Sequence, residues 1–558
     1  DVCSSDLFVS PDGRFLVAIW QRDGEHRTVS IVEAAPEGQS QPKVHHFRYD
    51  KPGDRIDERR PRLFDLDAGA EIPVDATLFP SPWDLSDFLW LPDSSEFLFR
   101  YNARGHRTMR VLAIAVPSGA VRTVLEDTSP TFIDWAHRSW LHWLPTEGRF
   151  LWSSERSGWH HLERVEIATG ERLPITSGEW VVRGVDDVDE QARTLTLRLS
   201  GRDPAQSPYH VHHARVGFDG DGFTMLTEAD GTHEITWAPD GATYVDSFSR
   251  VDLPPRHELR RSSDGAKVCD LETADDAELV AAHWQRPERF VAKGRDGITD
   301  IHGVILRPVG FDPARRYAVV ENVYAGPQDS HAPVAWRTSY GSMSALAEMG
   351  FVVVQADGMG TANRGKAFHD RCHKNLGDAG FPDRIAWLRA AAATRPWMDL
   401  SRVGIYGGSA GGQNAMRALI AHPDVYSVAV ADCGCHDNRM DKIWWNEQWM
   451  GWPIGPQYSA SSNVDNAHLL QGKLLLMVGE LDTNVDPSST LQVVNALLKA
   501  NKNFDFLMYP GEDHNAGRGG EYADYGERKR FDFFVRHLLG QNPPEWSGTD
   551  TAATKITK

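Results

Sequence analysis

The stretch RVGIYGGSAGGQNAMRAL (402–419) sets a short apolar run against a glycine cluster that holds a single serine, Ser409. RVGIY has the composition of a buried strand, and GGQNAMRALIAH that of a helix, with Ala415, Met416, Leu419 and Ile420 falling on one face. Gly407, Ser409 and Gly411 make G-x-S-x-G, the strand-to-helix elbow that exposes a nucleophilic serine. The glycines have a steric purpose, because so tight a turn leaves no room for side chains beside the serine. The elbow also sets the serine oxygen at a helix N-terminus, where backbone N–H groups favour an oxyanion. A phosphate-binding loop is the rival reading. It needs G-x-x-x-x-G-K followed by Ser or Thr, which this stretch lacks.

A serine is a weak nucleophile without a base, and the base needs an orienting acid. On this elbow the chain order is Ser, acid, His. Asp482 ends the apolar run KLLLMVGELD, and His514 follows FDFLMYP in the turn GEDHNAG. Both stand where the C-terminal ends of parallel strands place functional residues. Asp486 competes with Asp482 as the acid, and a plain cap aspartate and a plain loop histidine are the bland alternatives. The order and the placement favour the triad Ser409, Asp482 and His514.

Around the elbow, apolar runs alternate with helical segments. RYAVVENVYAG (316–326), GFVVVQADGMG (350–360) and YSVAVADCG (426–434) suit strands buried on both faces of a parallel sheet. RIAWLRAAAATRPW and SSTLQVVNALLKANK have helical spacing. The expected unit is an α/β-hydrolase domain over 290–541, a mostly parallel sheet with helices on both faces, followed by a disordered tail over 542–558.

The first half repeats instead. Strand–turn–strand units recur with turn glycines at Gly69, Gly119, Gly170, Gly220 and Gly265, and a second turn series reads SPDGRFLVA, LPDSSEFLF, LPTEGRFLW and APDGATYV. A period near 50 residues with several strands per repeat is the mark of propeller blades. An incomplete, all-β propeller of five to six blades is expected over 8–289. The segment DVCSSDL (1–7) reads as one frame of a common sequencing-adapter end. We expect it to be non-native, with a propeller whose first blades lie upstream.

Bulk composition narrows the function. The 558 residues are 41% hydrophobic and 25% charged, with a net charge of −19. That balance argues against nucleic acid, which demands clustered Lys and Arg. No apolar run is long enough to span a membrane. The five cysteines are too irregular for a disulfide framework, and CGC (433–435) lacks the spacing of a zinc half-site. The histidine runs WHHL and HVHHA read as strand surface rather than metal ligands. No metal and no organic cofactor is expected.

These residues resemble the prolyl oligopeptidase family of serine peptidases, in its dipeptidyl peptidase IV-like branch. The resemblance covers nearly the whole chain. It rests on VENVYAGPQDS, QADGMGTANRG, GGSAGG, NEQWMGWP, GELDTNVDP and GEDHNAG, and on FRYDKPGD, SSERSGWHHL and YVDSFSRVDLPP in the first half. It implies an eight-bladed propeller capping an α/β-hydrolase domain, with the site between them. It also implies an oxyanion hole from the Tyr324 hydroxyl and the Ala410 N–H, a substrate-carbonyl contact from Asn484, and an apolar pocket lined by Val485 and Trp445. Two departures stand out: Gly408 and Ala410 replace the family's Trp and Tyr, and Asp441 falls where a pocket tyrosine is usual, which puts strict proline preference in doubt. The glutamate pair and the arginine that bind a substrate's free amine in this branch would fall upstream of Phe8.

The implied activity is hydrolysis of short peptides through an acyl-enzyme on Ser409, as a dipeptidyl aminopeptidase. An acylaminoacyl peptidase, an endo-oligopeptidase or a carboxylic-ester hydrolase shares the scaffold, and a catalytically inert propeller binding protein is the alternative from another class. The partner expected is a peptide substrate. A homodimer through the hydrolase domain is implied by the resemblance alone, and localisation stays open.

Overall fold

The computed structural model describes residues 7–514 and 522–545. Of the segment expected to be non-native, only Leu7 is among them, and it pairs with Ala18 in the first strand. The remainder of that segment, and 546–558 of the expected tail, lie outside the described residues.

Period-two alternation builds the first half. Among the described residues, five four-stranded antiparallel sheets follow one another in chain order, over 7–72, 82–128, 141–174, 181–225 and 232–273. Each is an antiparallel meander, and the second sheet shows how one sheet's two faces serve two neighbours. In the strand Glu96–Ala103, Phe97 and Phe99 pack with Val17, Ile19 and Leu63 of the first sheet. Leu98, between them, packs with Phe150 and Val165 of the third. Each such fully buried side chain contributes about 1.5–3 kcal/mol. These sheets are the blades of a β-propeller. All five turn glycines that mark the repeat sit at positive φ, from 60° to 81°.

One insertion breaks the meander. Between the second and third strands of the first sheet, Thr28–Glu33 and Lys43–Arg48 form a separate hairpin. The segment leaving it, Tyr49 to Gly53, reaches the second half of the molecule. The Asp50 carbonyl accepts the Ile443 N–H at 2.9 Å, and the Gly53 N–H donates to Glu447 Oε1 at 2.9 Å.

The second half is an α/β-hydrolase domain built on one eight-stranded sheet: β1 (Glu288–Lys293), β2 (Asp300–Leu306), β3 (Tyr317–Asn322), β4 (Val352–Ala356), β5 (Met398–Gly408), β6 (Val428–Asp432), β7 (Lys473–Gly479) and β8 (Asp505–Tyr509). The spatial order is β1-β2-β4-β3-β5-β6-β7-β8. Pairing is antiparallel through β1, β2 and β4, and parallel from β4 to β8. The boundary expected at 289/290 therefore falls inside β1, and the change of architecture precedes Glu288. Helices cover both faces. Those used below are α1 (Ala410–Ala421), α2 (Ile443–Met450) and α3 (Ser488–Lys499). Ala415, Met416, Leu419 and Ile420 of α1 lie in one buried cluster with β3 and β5, while Phe534 and Leu538 pack on the other face of the sheet.

The histidine runs differ from expectation. His160, His161, His210, His212 and His213 are buried, not displayed on strand surfaces. Their ring nitrogens meet internal acceptors and carboxylates, as where His161 Nε2 lies 2.9 Å from the Gly178 carbonyl and His210 Nδ1 lies 3.2 Å from Asp230. Among the described residues no helix is long and apolar enough to cross a membrane.

Candidate active site

β5 ends at Gly408 and α1 starts at Ala410, so Ser409 alone makes the turn, at φ 61° and ψ −124°. That is a strained conformation for a residue with a side chain, the kind that persists where surroundings over-determine it. Three glycines supply the surroundings. A Cβ on Gly407 or on Gly411 would stand 2.3 Å from the Val323 carbonyl oxygen, and one on Gly412 would stand 2.4 Å from that of Asp432. Only bare backbone lets β3, β6 and the elbow approach this closely. The Ser409 N–H donates to the Asp432 carbonyl at 2.9 Å, fixing the turn to β6.

Asp482 and His514 come from the loops after β7 and β8. Asp482 is fully buried, and its Oδ2 lies 2.7 Å from His514 Nδ1. Its Oδ1 accepts the N–H groups of Asn484 at 2.9 Å and Val485 at 2.7 Å. The carboxylate therefore presents one oxygen to the imidazole and anchors the other on backbone, the arrangement that fixes a histidine's tautomer. The two loops are braced together. Asp513 Oδ1 accepts the Thr483 N–H at 2.9 Å, and the Leu481 N–H donates to the Glu512 carbonyl at 2.8 Å. The alternative acid, Asp486, is committed elsewhere: its Oδ2 pairs with Lys51 Nζ at 2.9 Å and its Oδ1 accepts the Ser488 N–H at the start of α3.

Ser409 opens into a cavity of about 170 Å³. Its walls include Tyr324, Ala410, Trp445, Asn484 and Val485, so every residue expected from the sequence, apart from Asp482 and His514, lines one space. Ala410 is the first residue of α1, where backbone N–H groups have no acceptor within the helix. The Tyr324 hydroxyl accepts from Gln328 Nε2 at 3.2 Å, and Trp445 Nε1 donates to Gln328 Oε1 at 3.4 Å.

Several lining residues were not anticipated. Gln328 stands inside the quoted motif VENVYAGPQDS, and an amide four residues beyond the tyrosine was the available signal. His137 comes from the propeller half, and nothing local in sequence points to it. Its Nδ1 lies 3.0 Å from Asp134, a fully buried carboxylate. Burial alone would raise the Asp134 pKa, but the hydrogen bond from His137 and the nearby His369 and Arg138 override it and hold it at about 2.

Asp441 lines the same cavity and is buried. The Tyr49 hydroxyl, from the segment after the propeller hairpin, lies 2.6 Å from Asp441 Oδ1 and 2.8 Å from the Asn484 carbonyl. Asn446 Nδ2 donates to Asp441 Oδ2 at 2.9 Å. Burial and the Asp441 carboxylate push the Tyr49 pKa far above the ordinary phenol value, so Tyr49 remains a donor at any working pH. The arrangement has the parts for acyl transfer: a strained, half-buried serine that opens into the cavity, an imidazole oriented by a buried acid, and donors lining the same cavity.

Two family models match the chain. Residues 336–541 match the prolyl oligopeptidase family, and residues 4–255 match the dipeptidyl peptidase IV (DPP IV) N-terminal region. The chain is similar to human dipeptidyl peptidase 8, at 26% identity over 404 residues, covering 69% of this chain and 43% of that protein. It is similar to dipeptidyl peptidase 4 of Trichophyton rubrum, at 23% identity over 579 residues, covering 98% of this chain and 73% of that protein. The chain thus spans less than half the length of the human relative. The crystal structure of Porphyromonas gingivalis dipeptidyl peptidase 4 superposes with a TM-score of 0.79 at 23% identity, over 95% of this chain and 74% of that one.

Proposed function

Since the chain belongs to the prolyl oligopeptidase family and carries a dipeptidyl peptidase IV-type propeller, we propose that it is a serine peptidase that releases dipeptides from the amino termini of short peptides. The observation that carries the reading is the pair of buried Asp482 and half-buried His514, 2.7 Å apart, together with a serine held at positive φ at the start of α1.

In this mechanism Ser409 Oγ attacks the scissile carbonyl while His514 takes its proton. Asp482 holds the imidazole and offsets its positive charge. The oxyanion forms beside the Ala410 N–H and the Tyr324 hydroxyl, donors of a kind that contribute about 2.7–4 kcal/mol each to the transition state. His514 then protonates the leaving amine, and water repeats the sequence on the acyl-enzyme. Asn484 holds a substrate carbonyl. Val485 and Trp445 flank the side chain before the scissile bond, and Asp441 makes that pocket more polar than one built for proline alone.

The test compares chromogenic Ala-Pro and Ala-Ala amides with free and acetylated amino termini, with Ser409→Ala as the blank. Turnover of free amines only is the expected result. Turnover of blocked peptides would point instead to an acylaminoacyl or endo-acting peptidase. Labelling of Ser409 by a fluorophosphonate without amide turnover would redirect the search to esters.

A further inference from the structure

Behind the proposed triad stands a residue that the mechanism does not use. Cys433 follows β6 directly, at φ 41°, and is 1% exposed. Its N–H donates to the Met477 carbonyl on β7 at 2.8 Å, and its Sγ lies 3.4 Å from the His514 carbonyl oxygen. The backbone thus aims the sulfur at the junction of the acid and histidine loops. There the thiol sulfur, one carboxylate oxygen of Asp482 and one imidazole nitrogen of His514 lie within 4.8 Å of one another.

Sulfur, nitrogen and oxygen in one cluster is the donor set of zinc, and three protein ligands with one open position is its common arrangement outside closed structural sites. Ligands around tetrahedral zinc stand about 3.5 Å apart, so the sulfur needs to draw in by about 1 Å at most while the Asp482–His514 pair opens slightly from 2.7 Å. The outer support exists already. Asp482 Oδ1 keeps the Asn484 and Val485 N–H groups while its second oxygen turns to an ion, the kind of outer contact that orients a metal ligand.

We propose that Cys433, Asp482 and His514 form an inhibitory site for a soft divalent cation, Zn²⁺ or Cd²⁺. Binding releases the Cys433 thiol proton to solvent, while the proton that His514 shares with Asp482 moves from Nδ1 to Nε2 of the imidazole as Nδ1 takes the ion. The imidazole is then a metal ligand and no longer a base for Ser409. The inhibitory effect rests on the peptidase reading, whereas binding of the ion does not.

Titration of the full chain with Cd²⁺ tests this, read by ultraviolet thiolate-to-cadmium charge-transfer absorbance and by peptide turnover. Native protein is expected to show the absorbance and to lose turnover in parallel, with recovery on chelation. Cys433→Ser is expected to turn over peptide normally while its sensitivity to Cd²⁺ falls at least about 10–100-fold. Undiminished sensitivity in Cys433→Ser overturns the site. Should that variant misfold by circular dichroism, the native chain's affinity against pH decides: tighter binding as pH rises supports a site that releases the thiol proton, and a pH-independent affinity overturns it. If no preparation cleaves peptide, yet His514→Ala and Cys433→Ser each lose the absorbance, the site stands and the peptidase reading fails. An active enzyme indifferent to Cd²⁺ refutes the site alone.

Discussion

Ser409, Tyr324 and Asp441 each carry a separable expectation. Ser409→Ala should remove fluorophosphonate labelling and peptide turnover together while leaving the fold intact. Tyr324→Phe deletes only a hydroxyl from the residues lining the serine's cavity, so on the proposed mechanism kcat should fall about 10²–10³-fold with little change in KM. An unchanged kcat would show that the hydroxyl takes no part in the transition state. Asp441→Asn keeps the size of the side chain and its acceptor for Tyr49, yet removes a negative charge from the pocket. It should shift the relative kcat/KM for substrates with lysine or proline before the scissile bond, lysine losing most. These positions differ in how legible they were. Ser409, Asp482 and His514 follow from local chemistry, a tight turn and two strand ends in a required order. Asp441 was visible only as a misfit in a motif. Its partner Tyr49 lies 392 residues earlier, and no local pattern encodes a contact across such a distance.

The turns of the propeller repeat show how one element is tuned to its neighbour. A Cβ on Gly119, Gly170 or Gly265 would meet a backbone oxygen of the preceding sheet at 2.0, 2.5 or 2.6 Å respectively, whereas one on Gly69 in the first sheet would meet nothing within 4 Å. All four share positive φ. Gly69→Ala should therefore cost only the left-handed penalty, about 1–2 kcal/mol, while Gly170→Ala should cost more, because Val124 must also move. Thermal unfolding of the two variants separates conformational strain from contact between sheets, and equal losses would contradict this account. The repeat, its glycines and the switch to a parallel sheet were all readable from period and composition. The hairpin over 28–48 was not, because it obeys the same alternation as the blade strands around it. The histidine runs misled for a related reason: alternation locates the two faces of a strand, but in a propeller both faces are covered.

At the scale of the whole molecule, the two halves are joined through charges withdrawn from water. Arg104 of the propeller forms a two-pronged pair with Glu447 on α2, at 2.8 and 2.6 Å, with Glu447 fully buried. Arg104→Met should destabilise the chain by about 3–5 kcal/mol, since it strands a buried carboxylate. A loss below about 1 kcal/mol would mean that water already reaches the pair. Acid should loosen the same junction. Burial lowers the pKa of His369 to about 3, and of His302 and His373 to about 4, from an ordinary 6.5. His369 stacks edge-on against Phe132, and His302 against Tyr209, both rings of the propeller half. Between pH 6.5 and about 4 the unfolded chain binds protons at these sites that the native fold refuses, so stability rises with pH. Each imidazole then removes up to about 1.4 kcal/mol per pH unit as acid is added. The melting temperature should be level above pH 6.5 and fall steeply below it, and a level profile down to about pH 4 would refute the assignment. The contact between Tyr49 and Asp441 has one more consequence, which concerns biosynthesis. A ribosome adding about 5–20 residues per second delivers Asp441 some 20–80 s after Tyr49, and delivers His514 later still. The wall of the pocket waits for its floor, and of the three proposed triad residues His514 is made last. On the proposed mechanism, a chain still tethered at its synthesis site therefore holds a serine with nothing to activate it, and cannot cut its neighbours until His514 has been added.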